Sequence, residues 1–234
     1  MERSRVIPAF ILAVGIAAAG FFLKQGFDTF SYRDRVVSVR GLAEREVKAN
    51  SVTWPVVYKC AANDLYTIYQ DITNKSTAIV NFLKENGIKE SEIEVVAPDV
   101  SDNNADRYST NAALYRYTVN GVIVVTSDNV DLVSSLIKRQ SELLREGIAV
   151  VSGSWENRTT YSYTNLNSIK PEMIAEATAN AREAAKKFAD DSESKLGKIK
   201  TASQGQFTIE DRDPYTPYLK KVRVVSTITY YIED

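Results

Sequence analysis

Hydrophobic and polar positions follow two rhythms along this chain once an opening apolar run has passed. Residues 6–23 carry no charge, with Arg3 and Arg5 before them and Lys24 after. A polar connector over 28–34 follows, and then period-two alternation sets in. Val37 and Val39 open a strand that reaches Gly41. Over 52–62, Trp54, Val56, Tyr58 and Cys60 share one face, with Thr53, Pro55, Val57 and Lys59 on the other, which predicts a half-buried strand. Pro55 cannot donate to a ladder, so an edge or bulge is expected there. Leu65, Ile68, Tyr69, Ile72, Ile79, Phe82 and Leu83 then fall at helical spacing, from a cap near Asn63 to a stop at Gly87. Strands around 93–97 and 114–126 come next.

A second helix is predicted over 130–146, with Val133, Leu136, Ile137, Gln140, Leu143 and Leu144 on one stripe and Gly147 at its end. Beyond it the order recurs: strand 148–151 continuing irregularly to Thr164, helix 171–196 closed by Gly197, strand 199–209, a loop, and strand 219–232. Two strand-helix-strand-strand halves joined by a helix result, a pattern that fits internal duplication or coincidence. No Gly/Ser-rich or Pro-rich linker separates the halves, and each alone is marginal for a core, so one compact unit is expected. The predicted fold class is α+β, a sheet packed against long helices, plus an N-terminal transmembrane helix. The third of the later helices carries Ala175, Ala177, Ala179, Ala181, Ala184, Ala185 and Ala189. Such a stripe reads as a tightly packed core helix, with an oligomer seam as its rival.

The opening run bears on location. Its 18 uncharged residues span about 27 Å as a helix, close to the hydrocarbon thickness of a bilayer. The competing reading is a cleaved signal with Ala17-Ala18-Ala19 as its cleavage site. Cleavage there leaves Phe21, Phe22 and Leu23 at a new terminus, which favours an uncleaved anchor. Under both readings Arg3 and Arg5 hold the short tail in the cytoplasm and the remainder is exported. The expected division is residues 1–30 as tail and anchor (or signal peptide) and 31–234 as one extracytoplasmic, periplasmic domain.

Composition excludes more than it adds. There are 29 Lys plus Arg against 30 Asp plus Glu, no histidine and a single cysteine. Balanced charge argues against a nucleic-acid partner. Without histidine there is no Ser-His-Asp relay, no His-ligated zinc and no imidazole pH switch. Cys60 alone makes no intrachain disulfide, and its face predicts a small buried hydrophobe.

The remaining candidates each have a plain structural reading. Asp102-Asn103-Asn104-Ala105-Asp106 opens like a calcium loop, but Arg107 stands where glycine is required and Ala113 where a bidentate glutamate belongs, so a solvated hairpin loop is expected. Glu44 and Glu46 lie on one strand face about 7 Å apart, with Arg45 and Lys48 nearby to neutralise them and no pocket-forming segment beside them. Tyrosines at strand spacing (Tyr115 and Tyr117, Tyr161 and Tyr163) or in the loops (Tyr108, Tyr215, Tyr218) fit an interaction surface or ordinary strand packing. Loops 99–113, 152–170 and 204–218 are long for a compact domain. Lys220, Lys221 and Arg223 form a basic cluster too small for nucleic acid. No catalytic residue, metal ligand or cofactor site is expected.

Several phrases together carry a family resemblance: Val37-Ser38-Val39-Arg40-Gly41, Asn120-Gly121-Val122-Ile123-Val124-Val125, the helix opening at 128–132, Gly147-Ile148, the alanine-rich helix, and Lys195-Leu196-Gly197-Lys198-Ile199. In order and spacing the chain resembles the SIMPL-domain family over about 36–232. That family includes bacterial periplasmic and outer-membrane-associated immunogenic proteins. Ala43 and Ala49-Asn50 depart from its pattern. The resemblance implies an exported α+β domain, often oligomeric, linked to the cell envelope and to stress tolerance, with no catalytic residues to carry over. The function expected is that of a non-enzymatic, membrane-anchored binding protein: anchored through 6–23, assembling as a homo-oligomer or with an envelope protein partner. The alternative is a small-ligand sensor or carrier with a pocket between sheet and helices.

Overall fold

The structure, a computed structural model, describes residues 3–32, 35–105, 114–151 and 157–233, without the side chains of 3–9, 11 and 27–32. Helix α1 (Arg3–Tyr32) comes first, followed by β1 (Val36–Lys48), β2 (Ser51–Ala62), α2 (Leu65–Glu85), β3 (Ile93–Asp102), β4 (Tyr117–Ser127), α3 (Val130–Arg139), β5 (Thr160–Ser162), α4 (Leu166–Asp191), β6 (Lys195–Gln204), β7 (Thr208–Asp211) and β8 (Leu219–Glu233). A 3-10 helix, Gln140–Glu146, extends α3. The α+β class holds. The described side chains of α1 include exposed Phe10, Leu12, Val14, Ile16, Phe21, Phe22 and Leu23. Among the described residues no helix is long and apolar enough to cross a membrane, so the transmembrane helix expected over 6–23 is not supported here. Residues 6–9 and 11 of that run lie outside the described side chains.

By internal contacts the chain separates into two compact units: residues 1–45, 167–208 and 222–234, and residues 46–166 with 209–221. The chain passes repeatedly between the two, which is why no linker composition marks a boundary.

In the second unit the sheet order is β3-β4-β2-β5. Strand β2 pairs antiparallel with β4 from Val52↔Ser127 to Ala62↔Tyr117. Trp54, Val56, Tyr58 and Cys60 are all buried, as their alternation predicts. They pack with Ile68, Ile79, Phe82 and Leu83 of α2 and with Val133 and Leu136 of α3 in one core. Pro55 sits just past the end of the short β5 pairing, which stops at Thr53↔Thr160, so its missing donor faces no ladder. Leu65 and Tyr69 depart from the expected stripe and are exposed.

Helix ends in this unit share one construction. The Asp64 carboxylate, one residue after the expected cap, accepts the Thr67 N–H at 2.8 Å. At the far end Gly87 adopts φ +93°, and the Ile88 N–H donates to the Leu83 carbonyl at 3.0 Å. Gly147, at φ +76°, repeats this, with Ile148 donating to Leu143 at 3.0 Å.

The second sheet runs β1-β8-β6, with β7 also paired to β8. Ile232 meets Arg35, Thr229 meets Ser38 and Arg223 meets Glu44, so β1 and β8 run antiparallel. Within the first unit, α4 turns Met173, Ala177, Ala181, Ala185 and Ala189 inward, all fully buried. A Cβ at Gly41 of β1 would stand 1.9 Å from the Ala177 carbonyl oxygen and 2.4 Å from the Ala181 nitrogen. Helix backbone therefore lies directly on strand backbone, a contact that needs glycine on one side and alanine on the other.

Three predicted boundaries move. Helix α4 begins at Leu166 and runs through Pro171, which marked its expected start. It ends before Gly197, which lies in β6 beside Glu233; Glu193, at φ +54°, takes the left-handed position, and the Ser194 N–H donates to the Ala189 carbonyl at 2.9 Å. The strand expected at 148–151 is a single bridge between Tyr58 and Val150.

Candidate functional site

The expected site candidates are mostly engaged within the fold. Glu44 and Glu46 are exposed on β1, and the arginines facing them come from the opposing segment: Arg223 lies 3.6 Å from Glu44 and Arg212 lies 3.6 Å from Glu46. The expected neutralisers turn elsewhere, Arg45 to Glu172 at 2.7 Å and Lys48 to Asp131 at 2.6 Å. Arg45 lies one residue from each glutamate, so strand alternation sends it to the other face, whereas Lys48, at the end of β1, reaches α3.

Cys60 is 3% exposed. Burial, then a hydrogen bond involving Asp71, push its thiol up to about 11. Lys75 places its ammonium 3.7 Å from the Cys60 sulfur and 2.8 Å from Asp71. Burial opposes the charge on Lys75, but its bond to Asp71 and the pull of neighbouring anionic groups outweigh that and raise its pKa.

Asp102 is held by Arg116 at 3.1 Å, which together with the Asn104 N–H keeps its carboxyl below the usual range. Asn103 donates its side-chain amide to the Tyr115 carbonyl and the Thr118 hydroxyl, each at 2.9 Å. These side chains close the β3–β4 hairpin; Asp106 and Tyr108 lie outside the described residues. Among the described residues, no three His, Cys, Asp or Glu side chains gather as a metal site.

The basic cluster is also partnered. Lys220 is buried against Asp211, and Arg223 faces Glu44. Asp213 accepts the Tyr215 and Thr216 N–H groups and the Thr216 hydroxyl and meets Arg212 at 3.0 Å, which lowers its carboxyl to about 2. The tyrosines divide: Tyr161 and Tyr218 pack edge to face at 6.3 Å, whereas Tyr215 is 92% exposed. On α2, Leu65, Tyr66 and Tyr69 are exposed, and at the approach to β4 so are Leu114 and Tyr115. The Arg116 N–H donates to Asn63 at 3.0 Å, which ties the start of α2 to this approach.

One concave feature stands apart. Between α4 and the edge strand β6 of the first unit lies an open groove of about 850 Å³. Thr178, Arg182, Lys186 and Asp190, one helical turn apart, form its α4 wall. Strand β6 supplies Lys195 and Lys198 opposite, and the register slips between Leu196 and Ile199. Such a bulge re-aims side chains at a sheet edge. In the sequence the alanines of α4 mark its buried face, and the four-residue spacing of Thr178, Arg182, Lys186 and Asp190 is the signal that marks the groove.

The fold defines an α+β protein with helices laid on antiparallel sheets, an open groove between α4 and β6, and exposed tyrosines on α2 and before β4. The chain belongs to the SIMPL family, whose description, protein of unknown function (DUF541), matches residues 37–227. Nothing among the curated proteins matches it.

Proposed function

We propose that this SIMPL protein works by binding, as a small-ligand sensor or carrier of the cell envelope whose ligand lies in the groove between α4 and β6. The observation that carries the reading is the groove itself: its volume falls in the range of ligand pockets, and charged groups converge on it from a helix and a strand. The groups capable of reaction support it from the other side. Glu44, Glu46 and Asp102 face arginines, and Cys60 is a buried thiol with its pKa pushed up. The chain is tethered through residues 6–23 with the remainder extracytoplasmic, a reading supported by the uncharged run and its flanking arginines.

A ligand bound only by the folded state raises the melting temperature. A thermal-shift screen of the full chain in neutral detergent tests the groove: stabilising compounds should lose their effect when Arg182 and Lys186 are both changed to Glu. Stabilisation that survives the double change contradicts the assignment. Resistance of the chain to alkaline extraction from membranes, at its encoded mass, tests the tether.

Assembly is the second reading, as a homo-oligomer or with an envelope partner. Exposed Leu65, Tyr66, Tyr69 and Leu114 favour it, because clustered tyrosines supply contact area at low entropic cost. Ala177 and Ala181 of α4 lie against Gly41, and with Ala185 and Ala189 they are fully buried within the chain, which disfavours them as its seam. Light scattering showing a monomer at high concentration contradicts the homo-oligomer.

A further inference from the structure

The groove between α4 and β6 also carries information about the chemistry of its occupant, an inference that rests on the ligand-binding reading above. Arg182, Lys186, Lys195 and Lys198 line it against one carboxylate, Asp190. Among the described residues, no ion pair or hydrogen bond engages the side chains of Arg182, Lys186 or Lys198. Elsewhere Arg45, Arg116, Arg139, Arg212 and Arg223 each lie against a carboxylate. Two like charges four residues apart on a helix repel by a few tenths of a kcal/mol, and a partner between them relieves that cost. Their Cα atoms lie about 6 Å apart along the helix axis, so an anion seated over this turn meets both at once.

A guanidinium beside ammonium groups suits a phosphate. The planar fork of Arg182 takes two oxygens, and lysines act as mobile point charges on the others. The Thr178 hydroxyl on the same wall offers a further donor. Leu196, Ile199 and Tyr230 supply an apolar part of the lining, with Ile199 half exposed. Excess positive charge in a concave site concentrates the field on one ligand of opposite sign.

We infer that the groove of the first unit binds a phosphate ester: its phosphate lies between Arg182, Lys186 and the β6 lysines, and its apolar body lies on Leu196 and Ile199. A lipid headgroup and a soluble phosphate share this chemistry, and the probes separate them.

The test is calorimetric titration of the full chain in neutral detergent with inorganic pyrophosphate, dihexanoyl phosphatidylglycerol, dihexanoyl phosphatidylcholine and succinate. Pyrophosphate or phosphatidylglycerol should bind, more weakly as salt rises. Arg182→Glu with Lys186→Glu should weaken that binding about tenfold or more, and Asp190→Asn should tighten it. Both sites are exposed on α4, and an unchanged far-ultraviolet circular dichroism spectrum verifies the fold of each variant. Phosphatidylglycerol binding more tightly than pyrophosphate identifies a lipid source; pyrophosphate binding alone identifies a soluble one. Succinate binding as well as pyrophosphate, with the same loss in the double variant, overturns the phosphate assignment and leaves the groove as a ligand site. Failure of all four probes, or phosphate binding indifferent to the double variant, overturns the inference. In the second case it removes the groove reading as well.

Discussion

At Gly41 the absence of one methyl group sets how closely α4 lies on β1. A Cβ there meets helix backbone, the Ala177 carbonyl oxygen and the Ala181 nitrogen, and cannot be relieved by turning a side chain. Gly41→Ala should therefore lower stability by about 3 kcal/mol, the upper part of the usual overpacking range. Chemical denaturation measures this, and a loss below about 0.5 kcal/mol contradicts the packing. Cys60 makes a second prediction at this scale. With its thiol pushed up to about 11, native alkylation at pH 8 should run about 100-fold slower than in urea, from the smaller thiolate fraction alone. The sign of the linked stability follows: the folded state holds the proton more tightly, so the contribution is intact below the ordinary thiol range and is lost as pH rises towards 11. Cys60→Ala should flatten that part of the alkaline profile. Rapid native alkylation contradicts burial.

Among the elements, ends built by glycine were legible and the one built without it was not. Gly87 and Gly147 announce left-handed residues, and the structure places both there. For α4 the same reasoning looked ahead to Gly197, whereas Glu193 holds the left-handed position and Gly197 serves close approach to Glu233 and the Tyr231 backbone. Glu193→Gly should raise the stability of the chain by about 0.5–1 kcal/mol, since glycine takes that conformation without penalty. A destabilised variant in thermal unfolding contradicts the end geometry. The start of α4 differs from its sequence signal for a related reason: proline is favoured in the first turn, but the helix continues backwards through Pro171 to Leu166. The face of β2 and the core side of α2 were readable because two-residue and 3.6-residue periods translate directly into burial. Strand β5 was not, because a three-residue strand has no period to detect.

Across the whole chain, the repeated strand-helix-strand-strand order is present in altered form. In one sheet the last strand, β4, lies between β3 and β2, the strands flanking α2. In the other the last strand, β8, lies between β6 and β1, so the strand before the helix is replaced by one from the start of the chain. Local pattern assigns a strand's existence but not its sheet. The candidate site shows the same limit. Its cations are visible in the sequence, yet only the pairing of α4 with β6 across a groove separates them from an ordinary solvated face. The central question for this protein is whether that groove holds a ligand. Hydrogen exchange of the full chain in neutral detergent, with and without saturating pyrophosphate or dihexanoyl phosphatidylglycerol, addresses this most directly. The account predicts slowed exchange confined to peptides covering 178–199, and lost in the Arg182→Glu, Lys186→Glu variant. Protection centred elsewhere, or none at all, contradicts it.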